Sequence, residues 1–185
     1  MRSSIARLLG GALGVSLLGL VLPAGAQEDE AEVRSVRLQT SKQDLKARVT
    51  SDSVTGSDFR LEREGNTVRG KVAGGSVYLS RKRGGLEGLL GGQSVRIVPK
   101  REGDGLVRLE GSFDGEPLEI DISPGELSGT VGSCTYDLEY QDEAYQGVRI
   151  CEGDTREHVW LFVTPGVPED VSPLLATTLV VLLGS

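Results

Sequence analysis

Leu109-Glu110-Gly111-Ser112-Phe113-Asp114-Gly115-Glu116-Pro117-Leu118-Glu119-Ile120-Asp121-Ile122 is the stretch whose reading decides the fold. Apolar residues alternate with polar ones over two short runs, and a small polar turn, Asp114-Gly115, separates them. Period-two alternation broken by turn chemistry reads as paired β-strands, each with one apolar face. The same phrase recurs on both sides. Val68-Arg69-Gly70-Lys71-Val72, Leu86-Glu87-Gly88-Leu89-Leu90 and Leu127-Ser128-Gly129-Thr130-Val131 match Leu109–Phe113 position for position, and Tyr145-Gln146-Gly147 keeps the central glycine. Units beginning at Leu61, Leu79, Ile97, Ile120 and Leu138 are offset by 18, 18, 23 and 18 residues, the longer step carrying an insertion around Arg101 to Gly105.

A period this regular has to be explained first. Gly65-Asn66, Arg83-Gly84 and Pro124-Gly125 sit midway between paired runs, where hairpin turns need left-handed or preset backbone. Folding each unit about its midpoint puts Leu61 opposite Gly70, Leu79 opposite Gly88, Ile97 opposite Gly111, Ile120 opposite Gly129 and Leu138 opposite Gly147. Glycine inside a strand forfeits packing and marks a bend or a close approach, and a large aliphatic opposite it fills the vacated space. The expectation is an all-β chain: a curved antiparallel meander of about ten strands over residues 59–150, open or closed as a barrel. Its concave face carries Leu61, Val68, Val72, Val77, Leu79, Leu90, Val95, Ile97, Phe113, Leu118, Ile120, Leu127, Val131 and Leu138.

A period near eighteen also suits one coil of a parallel β-helix. Gly-x-x-Val-x-Gly-x-Val over Gly65–Val72 resembles the pattern of bactofilins, polymer-forming β-helical proteins, across roughly residues 61–140. That resemblance implies stacked parallel coils and a cytoskeletal role. An export signal and a cystine fit such a role poorly.

The chain opens with Arg2 and Arg7, an apolar run Leu8 to Leu22, and Ala24-Gly25-Ala26, the n-, h- and cleavage regions of a signal peptide, residues 1–26. The apolar run is too short for a membrane span. A secreted or periplasmic destination follows, with no transmembrane span in the mature chain. An acidic, disordered leader (27–32) precedes a single β-rich domain (33–185). The whole chain of 185 residues has a net charge of −7, and loss of two leader arginines makes the mature chain more acidic still. That balance excludes nonspecific nucleic-acid binding, which needs a basic footprint.

Cys134 and Cys151 are the only cysteines, and an exported chain with an even count predicts one disulfide. The hairpin register agrees: folding about Asp142-Glu143 puts Tyr140 opposite Tyr145, Tyr136 opposite Arg149 and Cys134 opposite Cys151. His158–Val163 opens a last strand, 158–164. The aromatics Tyr136, Tyr140, Tyr145, Trp160 and Phe162 cluster around the cystine, as core packing or as a stacking surface for sugars.

Ser172, Pro173 and Gly184 bracket an apolar helix over 173–183, too short to span a bilayer. It is expected to dock on the sheet or to plug one end of the coil. Contact with a membrane or partner, or a terminal strand built on Thr177, Thr178, Val180 and Val181, are the alternatives.

Chemistry is scarce. No Gly-x-Ser-x-Gly elbow occurs, and in a strand His158 and Glu157 point to opposite faces, so they form no dyad. Two cysteines and one histidine make a poor zinc set, and no acidic run has calcium-loop spacing. No catalytic residue, metal or cofactor is assigned. Arg81, Lys82, Arg83, Lys100 and Arg101 fall in neighbouring hairpin tips as a basic patch. They are either solvated turn charges that discourage strand aggregation or a contact for an anionic envelope polymer or lipid headgroup. The expected function is an exported, noncatalytic binding or structural module. A small apolar-ligand carrier is the alternative, and a secreted hydrolase a weaker one.

Overall fold

A computed structural model describes residues 33–153, 155–164 and 172–184. The expected signal peptide (1–26) and acidic leader (27–32) lie outside the described residues. Fourteen antiparallel strands follow one another as a meander: β1 (Arg34–Thr40), β2 (Asp44–Val49), β3 (Ser53–Gly56), β4 (Phe59–Glu64), β5 (Thr67–Val72), β6 (Gly75–Lys82), β7 (Gly85–Leu90), β8 (Gln93–Arg101), β9 (Val107–Phe113), β10 (Glu116–Ile122), β11 (Glu126–Val131), β12 (Cys134–Gln141), β13 (Ala144–Cys151) and β14 (Thr155–Val163). Each pairs with its sequence neighbours, and β1 pairs with β14 through Val36↔Val163, Leu38↔Leu161 and Thr40↔Val159, which closes a barrel. Closure removes both sheet edges.

Antiparallel pairing at every step excludes the stacked parallel coils of a β-helix, and with them the likeness to bactofilins. The ten strands expected from the repeats are β4–β13. The count falls short because β1–β3 precede them without the repeat and β14 follows. The last strand also starts at Thr155 rather than at 158, because Arg156 and Glu157 already pair with Ile150 and Arg149.

All five glycine–aliphatic pairs are present: Leu61↔Gly70, Leu79↔Gly88, Ile97↔Gly111, Ile120↔Gly129 and Leu138↔Gly147. A sixth, Ala47↔Gly56, extends the rule into the unpredicted strands. The glycines are sterically obligatory. A Cβ at Gly70 would lie 1.9 Å from the Arg60 carbonyl oxygen, and one at Gly129 would lie 2.0 Å from that of Glu119. Gly129 also has φ +129°, a backbone state that side chains rarely adopt. All fourteen residues expected on the concave face are buried.

A fourteen-stranded wall encloses more space than the side chains of its strands can fill, since about eight strands suffice for that. Here the chain supplies its own filling. Helix α1 (Pro173–Leu183) runs inside the barrel, and Leu174 to Leu183 are all buried. A helix apolar on every side must be enclosed, which answers the choice between docking and plugging and rules out a terminal strand. Ser172 caps it by accepting from the Leu175 amide at 3.2 Å, with Pro173 at its first position. Its two buried threonines donate to carbonyls one turn back, Thr177 to Pro173 at 2.8 Å and Thr178 to Leu174 at 2.7 Å, so neither carries an unmet polar group into the core.

The outer wall is the reverse. Arg37–Asp44, Arg108–Asp121, Lys100–Glu110 and Arg96–Glu87 pair across it at 2.7, 2.6, 2.5 and 3.4 Å. A barrel that spans a membrane carries its apolar band outside, so this charged exterior is not lipid-facing. No described helix is long and apolar enough to cross a bilayer.

Two stability outcomes follow from the packing. Deleting residues 173–185 removes seven buried Leu and Val side chains. At about 1.5–3 kcal/mol each this exceeds the whole stability of an ordinary domain, so the truncated chain shows no cooperative thermal unfolding by circular dichroism. Gly129→Ala lowers stability by about 3 kcal/mol through overpacking. Gly91→Ala, which faces open space at a left-handed turn, lowers it by only about 1 kcal/mol, as read by urea titration.

Candidate functional site

The meander gives the barrel two rims. On the entry rim, beside the start of α1, lie the turns at Gly65-Asn66, Arg83-Gly84, residues 102–106, Pro124-Gly125 and Asp142-Glu143. Arg63, Asn66, Arg81 and Leu86 surround Pro173 there. The opposite rim carries the turns at 73–74, 91–92, 114–115 and 132–133, with the helix C-terminus. Type I′ geometry explains the tightness of several turns: Arg83 and Gly84 have φ of 47° and 81°, and Asp142 and Glu143 have 49° and 68°.

The five residues of the basic patch, Arg81, Lys82, Arg83, Lys100 and Arg101, are all exposed on one arc of the entry rim, at the tips of two adjacent hairpins. Lys100 is partly neutralised by Glu110 at 2.5 Å. Elsewhere the same rim is acidic, with Glu126, Asp142 and Glu143 at its turns.

Near the opposite rim a buried polar chain holds the end of α1. Tyr136, buried, donates its hydroxyl hydrogen bond to the Leu183 carbonyl. Arg149, cross-strand from Tyr136, pairs with Glu157 at 3.0 Å. Glu157 in turn accepts from the Ser41 hydroxyl at 2.6 Å. A cation beneath the negative end of a helix is favourably placed, and the pair retains stability only while both partners are present. Cys134 and Cys151 are bridged on this side, with Cα atoms 4.0 Å apart. Closing a loop of this size stabilises by roughly 3 kcal/mol on the chain-entropy estimate.

Glu157 and His158 occupy opposite faces, as alternation requires. Glu157 is buried in that chain of bonds, while His158 is exposed and stacks on Trp160, ring centroids 5.7 Å apart. The aromatics divide likewise. Tyr136 and Tyr145 are buried, Tyr145 donating to the Ser123 carbonyl at 2.6 Å. Trp160 and Phe162 lie on the outer wall, with the Arg37 guanidinium 5.4 Å from the Phe162 ring. No group of three His, Cys, Asp or Glu side chains able to hold a metal ion occurs among the described residues.

Two furrows open on the outer wall above the strand glycines. One, about 380 Å³, lies over Gly56 between Asp44, Lys46, Arg48 and Thr55. The other, about 530 Å³, lies over Gly70 and is lined by Arg60, Glu62, Arg69, Lys71, Ser76 and Tyr78. Tyr78 is 60% exposed. The place of Tyr78 between the inward Val77 and Leu79 marks an aromatic ring on the polar face, a signal carried by strand alternation alone. Comparison with family models, with curated proteins and with solved structures returned no match.

The Ser41 hydroxyl first, and the Arg149 guanidinium with it, hold the Glu157 carboxyl at about 2, below its ordinary 4.5. A depressed acid stabilises the fold above its unfolded value and stops doing so as the pH falls through its folded one. Stability of the wild-type chain therefore declines between about pH 5 and pH 2. In Glu157→Gln this part of the acid limb is flattened and the neutral-pH stability is lower, both read by thermal melts across the range.

Proposed function

We propose that this chain is an exported, noncatalytic binding module of the cell envelope or extracellular space. It meets its partner with its outer surface, and the basic arc of the entry rim is the contact it offers to an anionic polymer. The observation that carries this reading is the filled lumen: α1 occupies the axis of the barrel, and apart from the buried pair Arg149–Glu157 near its end, the described ion pairs lie on the outer wall. An apolar-ligand carrier would need that axis empty, and its ligand would have to displace seven buried aliphatic side chains. A hydrolase would need a nucleophile and base brought together, and the one histidine is engaged with Trp160 on the outer wall.

Five cations on adjacent hairpin tips create a local positive field on an acidic protein. Such a field steers a polyanion and is screened by salt. Immobilised polyphosphate is the simplest probe, being charge without a ring. The purified chain binds it at about 0.05 M salt and releases it at about 0.5 M, where the Debye length has shrunk well below the patch. Replacing Arg81, Lys82, Arg83, Lys100 and Arg101 together by glutamine abolishes that binding while the melting temperature is kept. Absence of any salt-sensitive retention would remove the reading.

A further inference from the structure

We infer that the furrow over Gly70 is a saccharide subsite, and that the anionic polymer is an acidic polysaccharide whose pyranose rings each carry a carboxylate. This rests on the reading of the chain as a polyanion-binding module and names the class of polymer.

The furrow is built rather than incidental. Its floor is bare backbone at Gly70, where a side chain cannot exist because a Cβ would collide with the Arg60 carbonyl. The same constraint that coils the wall therefore leaves a permanent dent in it. One side is the Tyr78 ring, 60% exposed, on the outward face of β6. Tyrosine on a polar wall offers an apolar face with a hydrogen-bonding tip, which suits the axial C–H face of a sugar ring and its hydroxyls.

Around that ring stand three cations, Arg60, Arg69 and Lys71, against the carboxylates of Glu62 and Glu64. Arg60 contacts Glu62 at 3.5 Å and Arg69 contacts Glu64, so the furrow retains a net positive balance. Guanidinium groups match carboxylates bidentately. Ser76 adds a hydroxyl beside Lys71, its cross-strand partner. A phosphate chain could use the cations but has nothing to lay on Tyr78. A neutral glucan could use Tyr78 but leaves the cations unmatched.

The furrow is also continuous with the basic rim. Tyr78, Ser80 and Lys82 are successive outward positions on β6, spanning about 13 Å toward the turn at Arg83-Gly84. One extended polymer can therefore lie in the furrow and on the arc at once, and linking the two contacts raises the affinity beyond either.

Calorimetric titration of the purified chain with polygalacturonate, polyphosphate and dextran tests this. Polygalacturonate binds most tightly and dextran does not bind. Tyr78→Ala weakens polygalacturonate about tenfold, the worth of one ring stack, leaves polyphosphate unchanged, and keeps the melting temperature because the ring is exposed. Tyr78→Phe, which keeps the stacking face and loses only the hydroxyl, retains most of the wild-type affinity, and Lys71→Gln weakens both polyanions. Unaltered polygalacturonate binding by Tyr78→Ala, or dextran binding as strong as polygalacturonate, would overturn the subsite. Salt-sensitive polyphosphate binding would meanwhile still support the module. If no polyanion binds at all, the broader reading fails and the subsite with it.

Discussion

The match between the width of the barrel and the girth of one apolar helix is the constraint on which the rest depends. Fourteen strands cannot fill their own interior with side chains, and an empty apolar lumen would cost every contact its lining could make. An isolated helix of eleven residues is marginal in water, and one as apolar as α1 has no wet face to offer. Each part lacks what the other supplies. The barrel gives the helix a dry sheath, and the helix gives the barrel a core. The polar bonds at its ends, Ser172 at one and Tyr136 at the other, meet backbone groups that would otherwise be stranded in that core.

The wall reaches the required curvature through its glycines. Odd-numbered strands bend at Gly56, Gly70, Gly88, Gly111, Gly129 and Gly147, and the neighbouring strand lays an aliphatic side chain across each bend. The interior thus gains a belt of Leu and Ile, and the exterior gains furrows. Both furrows carry more cations than carboxylates; what distinguishes the furrow over Gly70 from that over Gly56 is the exposed aromatic ring of Tyr78 on its border.

Much of this was legible before any coordinates. Register came from the glycine–aliphatic alternation, and Cys134 opposite Cys151 agreed with it independently. Ser172, Pro173 and Gly184 marked the helix ends correctly. The first three strands were missed because Ala47 stands where later units have Leu or Ile, and β3 is only four residues long. Closure was undecided because pairing of Val36 with Val163 joins parts of the chain that no local pattern connects. The buried pair Arg149–Glu157 was hidden for a related reason. Charged residues in alternating strands read as solvent-facing, and only the position of the helix end makes an inward ion pair useful.

The order of these parts along the chain has a temporal meaning. The strand that seals the barrel and the segment that occupies it both follow everything they close upon. A polypeptide emerging from its amino end holds an unsealed sheet until Thr155–Val163 has been made, and a coreless one until Pro173–Leu183 has followed. Non-local pairing of this kind delays folding. The one cooperative collapse of the domain therefore waits for the helix that follows the sealing strand.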